Sequence, residues 1–280
     1  NGDSFSGSYS GTFNNANVGA GKTVTISSSY SGDDVSNYSV TSQSSTTASI
    51  VKKSLTASAT ASNKTYNGNT TATTTLSFSG LVGSETLGQS VSSTFNNKNV
   101  GTGKTVTVNS ITLSDGSNGG VASNYSISSG QTTTANITAK ALTVSGITAS
   151  NKTYDGNTVV TLDLTGTSYS GLVSGDDVSI SASGSFDNKN VGTGKTVNIS
   201  SSYSGSDVGN YSITDQATTT ANITASVSGI TVRGITASNK TYDGNNSATL
   251  DTSNVSYSGL VEGDDVTGCL LYTSPSPRDP

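Results

Sequence analysis

The chain has 280 residues and little charge for that length: 13 basic and 18 acidic residues give a net charge of −5 at pH 7. This balance argues against nucleic-acid binding, which needs clustered lysine and arginine. A lone cysteine provides neither a disulfide framework nor a cysteine-ligated metal site. Only 30% of the residues are hydrophobic, but the modest net charge and the 12 tyrosines favour strands with polar outer faces over disorder.

One heptapeptide, Asn-Lys-Thr-Tyr-Asx-Gly-Asn, recurs at a fixed interval. It spans residues 63–69, 151–157 and 239–245. Its tyrosines, Tyr66, Tyr154 and Tyr242, lie 88 residues apart each time. A fixed period of this length predicts an array of modules. It also argues against an enzyme, because a catalytic site needs one constellation in one place, whereas every polar motif residue here recurs.

Other landmarks follow the heptapeptide in a constant order: Gly-Leu-Val, then Phe-Asx-Asn-Lys-Asn-Val-Gly, Asn-Tyr-Ser and Ala-Asn-Ile-Thr. They predict two complete modules between two partial ones. We number these modules 1 to 4. The predicted boundaries are 1–53 for the C-terminal part of a truncated repeat, 54–140 and 141–228 for complete repeats, and 229–268 for the N-terminal part of another truncated repeat.

Residues 269–280 break the pattern of the array. They contain the only cysteine and all three prolines, and no copy of them occurs elsewhere in the chain. The run Cys-Leu-Leu-Tyr-Thr-Ser-Pro-Ser-Pro-Arg-Asp resembles translated sequencing-adapter read-through. We interpret it as a non-native tail to be excluded from fold reasoning, with a genuine divergent tail as the alternative.

Alternation of apolar and polar residues predicts strands along the chain. In residues 104–113, Val106 and Val108, then Ile111 and Leu113, alternate with polar residues, as in a strand with one buried face. Asp-Gly, Asn-Gly, Ser-Gly and Gly-Gly pairs between such runs predict tight turns. We therefore predict an all-β chain of tandem antiparallel β-sandwich (Ig-like) modules of about 88 residues, arranged as beads on a string. A parallel β-solenoid is the competing fold, but its coils would repeat about every 20 residues.

The recurring residues have a structural interpretation. Each Asx-Gly pair is predicted to form a hairpin turn, and the tyrosine before it to pack on the core with its hydroxyl near the rim. Each phenylalanine is predicted to fill the core, and the asparagines after it to hydrogen-bond their own loop. A binding role for the tyrosines and asparagines is the alternative. The structural repeat motif comprises Tyr66, Gly68, Phe95, Tyr125, Tyr154, Asp155, Gly156, Phe186, Tyr211, Tyr242, Asp243 and Gly244.

The sequence Gly-Thr-Gly-Lys-Thr at residues 101–105 and 192–196 invites comparison with a phosphate-binding loop. However, Lys98 and Lys189 stand where that motif requires glycine. A predicted strand also follows, not the helix whose N-terminus would face the phosphates. Nucleotide binding is therefore not predicted.

Acidic pairs are the candidate metal ligands, because calcium prefers carboxylate oxygens. The candidates are Asp176, Asp177, Asp264 and Asp265. Module 2 has Ser84-Glu85 at the corresponding place, and the sequence has no Asp-x-Asp-x-Asp-Gly loop, so solvated turn acids are the favoured interpretation.

Covalent chemistry has little support in the sequence. Without histidine, neither general acid–base catalysis nor an activated serine has its usual partner. Isopeptide crosslinks from Lys152 or Lys189 to an Asn or Asp would need a buried catalytic acid, and no suitable one recurs. We predict no catalytic residue and no cofactor.

Taken in order, Asn-Lys-Thr-Tyr-Asp-Gly-Asn, Gly-Leu-Val-x-Gly-Asp-Asp-Val, Phe-Asp-Asn-Lys-Asn-Val-Gly-Thr-Gly-Lys, Asn-Tyr-Ser-Ile and Ala-Asn-Ile-Thr resemble the YDG-type repeat domain over residues 1–267. Module 2 departs from the pattern at Asn67 and at Ser84-Glu85. Such domains occur in tandem in large bacterial secreted and surface proteins, often filamentous-haemagglutinin-like adhesins. The resemblance implies an extracellular or outer-membrane-associated location and a role in adhesion, and it transfers no catalytic residues.

The expected function is a non-catalytic stalk or spacer within such an adhesin. One alternative is that the repeats bind glycans or host-matrix proteins, with avidity along the array. Another is that they are accessory modules of a secreted enzyme. Expected partners are host glycans or matrix proteins, reached through the full-length protein, and neighbouring repeats. Nucleic acid is not an expected partner, and the segment contains no evident membrane span.

Overall fold

The computed structural model describes residues 2–268, and its regular structure in that range is β-strand apart from three short 3₁₀ turns. The chain divides into two compact units between Lys140 and Ala141. The predicted all-β fold of repeated sandwich modules is confirmed. The interpretation of residues 269–280 as a non-native tail falls outside the described residues.

The first unit holds modules 1 and 2. Module 1 contains β1 (Ser6–Phe13), β2 (Gly19–Ser31) and β3 (Ser45–Ile50). Module 2 contains β4 (Lys53–Ser54), β5 (Thr56–Ala61), β6 (Lys64–Thr65), β7 (Thr71–Ala72), β8 (Thr74–Ser79), β9 (Leu87–Phe95), β10 (Gly101–Asp115), β11 (Tyr125–Ser126) and β12 (Thr132–Thr138). The 3₁₀ turns of this unit are Val35–Asn37 and Ala122–Asn124.

The second unit holds modules 3 and 4. Module 3 contains β13 (Lys140–Ser145), β14 (Thr148–Ala149), β15 (Lys152–Thr153), β16 (Val159–Val160), β17 (Leu162–Asp163), β18 (Ser168–Ser170), β19 (Ser179–Phe186), β20 (Gly192–Ser204), the 3₁₀ turn Val208–Asn210, β21 (Tyr211–Thr214) and β22 (Thr218–Thr224). Module 4 contains β23 (Thr231–Arg233), β24 (Thr236–Ala237), β25 (Leu250–Asp251) and β26 (Ser256–Ser258).

Modules 2 and 3 are each built on a five-stranded sheet with the same strand order. The order is β6-β12-β10-β9-β7 in module 2 and β15-β22-β20-β19-β16 in module 3. Module 1 contributes the corresponding three strands as β1-β2-β3. Neighbouring strands are antiparallel, except that β6 pairs with β12 and β15 with β22 in parallel. This parallel pair joins the opening heptapeptide of a module to its last strand.

A smaller layer covers one face of each five-stranded sheet. In module 3 this layer consists of β18-β13-β21 and β14-β17, and in module 2 of β5-β8 and a parallel pair, β4-β11. Apolar side chains of the large sheet of module 3 form a buried cluster of Val160, Phe186, Val197, Ala221 and Ile223. Ala149 and Leu162 of the smaller layer pack against this cluster, as does Tyr154. The core therefore lies between two layers, as in a sandwich.

The long strand β10 contains a bulge. Val106 and Val108 are fully buried, while Ile111 and Leu113 are half-buried. The pairing with β9 shifts between Val108 and Ser110. Because one extra residue is inserted there, the inward positions change from even to odd numbers while keeping to the same face.

The Asx-Gly pairs were predicted to form hairpin turns between neighbouring strands, and this prediction is wrong. The glycines do adopt the left-handed conformation, with φ of 80° at Gly68, 78° at Gly156 and 77° at Gly244. However, β15 and β16, which flank the second pair, lie at opposite edges of their sheet. In modules 2 and 3 the heptapeptide therefore crosses from one sheet edge to the other. The edges approach closely, since Lys152 Nζ on β15 lies 2.9 Å from the Val159 carbonyl oxygen on β16.

Module 4 repeats the smaller layer of module 3. β23 pairs with β26 and β24 with β25, as β13 pairs with β18 and β14 with β17. Tyr242 is 94% exposed, whereas the equivalent Tyr66 is 1% exposed. The predicted core position is therefore wrong for Tyr242, because the described residues of module 4 include no counterparts of the long strands that bury Tyr66.

Candidate functional site in the recurring loops

In module 2 the heptapeptide is folded around its own lysine. Lys64 Nζ donates to the side-chain oxygens of Asn67 and Asn69, at 2.8 and 3.0 Å. It also reaches the carbonyl oxygens of Asn69 and Thr71, at 2.7 and 3.1 Å. Burial lowers the pKa of Lys64. The ammonium group therefore closes the loop and bridges the two edges of the sheet.

Module 3 uses the same arrangement with an added ion pair. Lys152 Nζ lies 2.7 Å from Asp155 Oδ1 and 2.9 Å from Asn157 Oδ1. A hydrogen bond from the ammonium group holds the pKa of Asp155 below its usual range. In module 4, Lys240 contacts Asp243 at 2.9 Å and Asn245 at 2.8 Å in the same way. In each heptapeptide, the side chains of the Asx residue and of the final asparagine thus accept hydrogen bonds from the lysine ammonium group.

A second lysine organises the Asn-rich loop after each core phenylalanine. Nζ of Lys22, Lys104 and Lys195 lies 2.5, 2.6 and 2.7 Å from the side-chain oxygen of the asparagine two residues after the phenylalanine, in modules 1, 2 and 3 respectively. This is the lysine of the Gly-Thr-Gly-Lys sequence in modules 2 and 3. The backbone N–H of Gly103 donates to Asn136 Oδ1 at 2.8 Å, and that of Gly194 is bound equivalently. The groups that would hold phosphate in a phosphate-binding loop are therefore used within the module.

In modules 2 and 3, asparagine side chains tie the start of the heptapeptide to the last strand of its module. Asn63 Oδ1 accepts the backbone N–H of Asn136 at 2.7 Å. Asn151 Oδ1 accepts that of Asn222 at 2.8 Å in module 3. This contact accounts for the first residue of the heptapeptide, while the asparagine of Ala-Asn-Ile-Thr is accounted for by its bond from the Gly103 or Gly194 N–H.

The aromatic motif residues form the core and its rim. Phe95 and Phe186 are each 3% exposed, as core residues are. Lys98 Nζ lies 5.9 Å from the centre of the Tyr66 ring, and Lys189 Nζ 5.9 Å from that of Tyr154. A cation over an aromatic face at this distance is attracted by the ring quadrupole. Tyr154 is half-buried, and its hydroxyl reaches the rim.

The tyrosine of each Asn-Tyr-Ser sequence binds an acid of its own module. The Tyr211 hydroxyl donates to Asp176 Oδ2 at 2.5 Å and accepts the Val173 N–H at 3.0 Å. Tyr125 binds Glu85 and the Val82 N–H in the same geometry. In module 1, Tyr38 donates to Asp3 at 2.6 Å. Hydrogen bonding to these acids raises the pKa of Tyr38 and Tyr125.

Sequence reasoning missed Asp3 of module 1, and it did not recognise Glu85 as the equivalent of Asp176, because it compared Asp-Asp pairs. These acids can be identified in the sequence by their distance from the core phenylalanine. Asp3, Glu85 and Asp176 each lie ten residues before the core phenylalanine of their module, namely Phe13, Phe95 and Phe186. The acid is therefore a fixed part of the module, although its type varies.

The four candidate calcium ligands are not alike. Asp177 and Asp265 are exposed, whereas Asp176 and Asp264 are half-buried and hydrogen-bonded to tyrosines. The interpretation as solvated turn acids is thus wrong for Asp176 and Asp264. Among residues 2–268, no group of three or more Asp, Glu, His or Cys side chains is placed to hold a metal ion.

The lysines considered for isopeptide crosslinks lie beside ionised acids. Lys152 pairs with Asp155, which is 48% exposed, and Lys189 with Asp264. Hydrogen bonds from these lysines lower the pKa of both carboxyls. An acid that assists amide formation must carry a proton, so these pairs do not favour the reaction.

Tyr203 provides a pH-dependent contribution to stability that is open to measurement. Burial and a hydrogen bond to Asp215 raise its pKa to about 12. Because this pKa exceeds that of an unfolded tyrosine, about 10, the contribution is complete below pH 10 and is lost as the pH rises towards 12. We expect the urea concentration at which module 3 unfolds to fall more between pH 10 and 12 in the chain than in its Tyr203→Phe variant. Equal decreases would contradict the assignment.

The fold and these contacts define a tandem array of β-sandwich domains in which most of the recurring polar residues bind groups of their own module. A sequence model of the YDG domain matches residues 1–48, 51–135, 138–221 and 226–275. The chain therefore belongs to the YDG domain family. A search of curated proteins and a search of solved structures each found no match.

The four matched ranges differ from the predicted module boundaries by a few residues, and the fourth extends past residue 268. The boundaries themselves stay a prediction. Within residues 2–268, no helix has the length and apolar character needed to cross a membrane.

Proposed function

We propose that this repeat segment is a non-catalytic stalk or spacer of a large bacterial surface or secreted adhesin. On this proposal the chain lies outside the cell, and host glycans or matrix proteins are bound by other parts of the full-length protein. The extracellular location and the adhesive role come from the resemblance described above. The structural support concerns the role of spacer.

The observation that carries the proposal is the use of the recurring polar groups. In modules 2 and 3, both motif lysines and the heptapeptide asparagines bind acceptors and donors of the same module. Groups already paired in this way are poorly available to an external ligand, because a ligand would have to replace bonds that are charge-assisted and partly buried. Residues that recur in each module thus act to hold it together.

The connection between modules 1 and 2 also suits a spacer. Only two residues separate β3, which ends at Ile50, from β4, which begins at Lys53. A connection this short leaves few rotatable bonds between neighbouring sheets, so it limits bending far more than a flexible linker does.

A second candidate function is weak glycan binding by the outer face of the large sheets. Cross-strand serine pairs line that face: Ser8 and Ser29 in module 1, and the equivalent Ser181 and Ser202 in module 3, each with 2.7 Å between hydroxyl oxygens. A shallow groove runs along each of these serine strips. Repeated hydroxyl strips would give avidity for a polysaccharide even if each contact is weak.

A binding screen separates the two candidates. We expect the chain to show no saturable binding to arrays of glycans and host-matrix proteins. Saturable binding that is lost on replacing Ser8, Ser29, Ser181 and Ser202 by Ala would contradict the stalk-only proposal and support the second. The matched control replaces four exposed threonines, Thr56, Thr60, Thr148 and Thr231, by Ala, with circular dichroism confirming that both variants fold.

A further inference from the structure

Asp264 of module 4 is held by two residues of module 3. The Tyr154 hydroxyl donates to Asp264 Oδ1 at 2.5 Å, and Lys189 Nζ lies 2.8 Å from the same oxygen. The Asp264 side chain is 18% exposed and that of Lys189 40%, so this contact is partly shielded from water. Both donors are motif residues, one from the heptapeptide and one from the Asn-rich loop.

Asp264 occupies the same position of its module as Asp176 and Glu85, which bind the Asn-Tyr-Ser tyrosine of their own module. Asp176 accepts that hydroxyl on Oδ2, whereas Asp264 accepts the contacts from the preceding module on Oδ1. A carboxylate has two oxygens and about four acceptor sites. One acid at this position therefore has the capacity to bind a tyrosine of its own module and a tyrosine of the module before it.

Gly156 of the heptapeptide lies at the same contact. A Cβ atom at this glycine would approach Val261 Cγ1 to 2.8 Å, closer than side chains pack. Its φ of 78° also disfavours any other residue. The Tyr-Asp-Gly turn of module 3 is thus shaped for close approach to the turn of module 4 that contains Val261 and Asp264.

The first unit brings the corresponding regions together at another joint. The Val18 N–H donates to Asn124 Oδ1 at 2.9 Å, and Asn124 Nδ2 donates to Asn17 Oδ1 at 3.1 Å. Asn17 and Val18 follow the core phenylalanine of module 1, as Lys189 follows that of module 3. Asn124 directly precedes Tyr125, the partner of Glu85. Ala16 stands where module 3 has Lys189, so this joint has no ammonium group at that position.

We propose that module 3 docks on module 4 through this contact, and that module 1 docks on module 2 through the corresponding regions. We call the acid-bearing turn after Gly-Leu-Val, together with its Asn-Tyr partner, the acid corner. The acid corner binds the Tyr-Asx-Gly turn and the Asn-rich loop of the preceding module, so its partner is a neighbouring copy of the same domain. The inference deepens the stalk proposal, on which it rests, because a docked joint makes the array stiff.

The chemistry of the contact suits a directional joint. Asp264 raises the pKa of both Lys189 and Tyr154, and Lys189 lowers that of Asp264, so all three groups keep the protonation states that attract one another. Hydrogen bonds to an ionised acid are short and roughly twice as strong as neutral ones. Two donors from different loops that converge on one oxygen fix both the distance and the rotation of the two modules.

The test measures the distance between modules 3 and 4 in the full chain. Spin labels are attached to Ser202→Cys and Ser256→Cys in a Cys269→Ser background, and double electron–electron resonance gives the distance distribution. We expect one narrow distribution. In the Tyr154→Phe, Lys189→Met double variant, the undocked fraction should rise on the order of tenfold, the change expected when a charge-assisted contact is lost.

Two control variants make the result specific. Tyr203→Phe removes a tyrosine–aspartate bond of the same length inside module 3, from Asp215, and should leave the distribution narrow. Lys189→Arg keeps a cation. Combined with Tyr154→Phe, it should restore most of the docking that the Tyr154→Phe, Lys189→Met double variant loses. A narrow distribution that survives the double variant, or a broad one in the parent chain, would overturn the docking inference. Neither result depends on the glycan screen. The distance measurement can therefore contradict the docking proposal without contradicting the stalk proposal, and the glycan screen can do the reverse.

Discussion

Replacing Phe186 by alanine should lower the free energy of unfolding of module 3 by about 3–5 kcal/mol, the usual cost of removing a buried aromatic ring. The ring is 3% exposed and belongs to the apolar cluster beneath the large sheet. Few apolar residues are available to refill the space, because β19 is otherwise made of serine, glycine, alanine and one isoleucine. We expect amides of β19, β20 and β22 to exchange with deuterium much faster, as measured by mass spectrometry.

Local exchange is the suitable measurement because a chain of several modules does not unfold in a single two-state step. Val159→Ala is the matched control: Val159 lies in the same module but is 70% exposed, so its removal should change stability by less than about 0.5 kcal/mol. Similar protection in the two variants would show that the phenylalanine is not part of the core.

The second large effect is expected from Lys152→Met, which should destabilise module 3 by about 2–3 kcal/mol. Methionine keeps most of the side-chain volume but donates no hydrogen bond to Asp155, Asn157 or the Val159 carbonyl. Hydrogen bonds to a charged group contribute about 1.5–3 kcal/mol each. Part of that sum is regained from water, because Asp155 is 48% exposed.

The loss should concentrate at the two sheet edges that Lys152 bridges. We expect hydrogen exchange to quicken first in β15 and β16 and only later in β20 at the centre of the sheet. Lys152→Arg keeps the charge and should retain part of the stability, while Lys53→Met, at an exposed lysine, serves as the control for loss of charge alone. If Lys152→Met and Lys53→Met behave alike, the bridging role of Lys152 is wrong.

The sequence was sufficient for the features that depend on local pattern. The 88-residue period predicts the repeated modules, and alternation in residues 104–113 predicts strand β10. The bulge in this strand was not predicted, although the apolar positions change from even to odd numbers after Val108.

Features that depend on distant pairing were not predictable in the same way. An Asp-Gly pair indicates a left-handed turn, and Gly156 has one, but the turn does not specify which strands it joins. That choice depends on the pairing of β15 with β22 at the far end of the module. The roles of the motif lysines were missed for the same reason, because their acceptors converge only when the edges of the sheet approach each other.

The parallel pairing of each heptapeptide with the last strand of its module has a kinetic consequence. Asn151 and Asn222, which this pairing brings together, are 71 residues apart in the chain. Folds dominated by such distant contacts form slowly, because the entropy of closing a long loop is lost before the contact is gained. A chain that emerges N-terminus first can form the hairpin of β19 and β20 early, but module 3 cannot close until Thr224 has emerged. The array is therefore expected to fold in steps of one whole module.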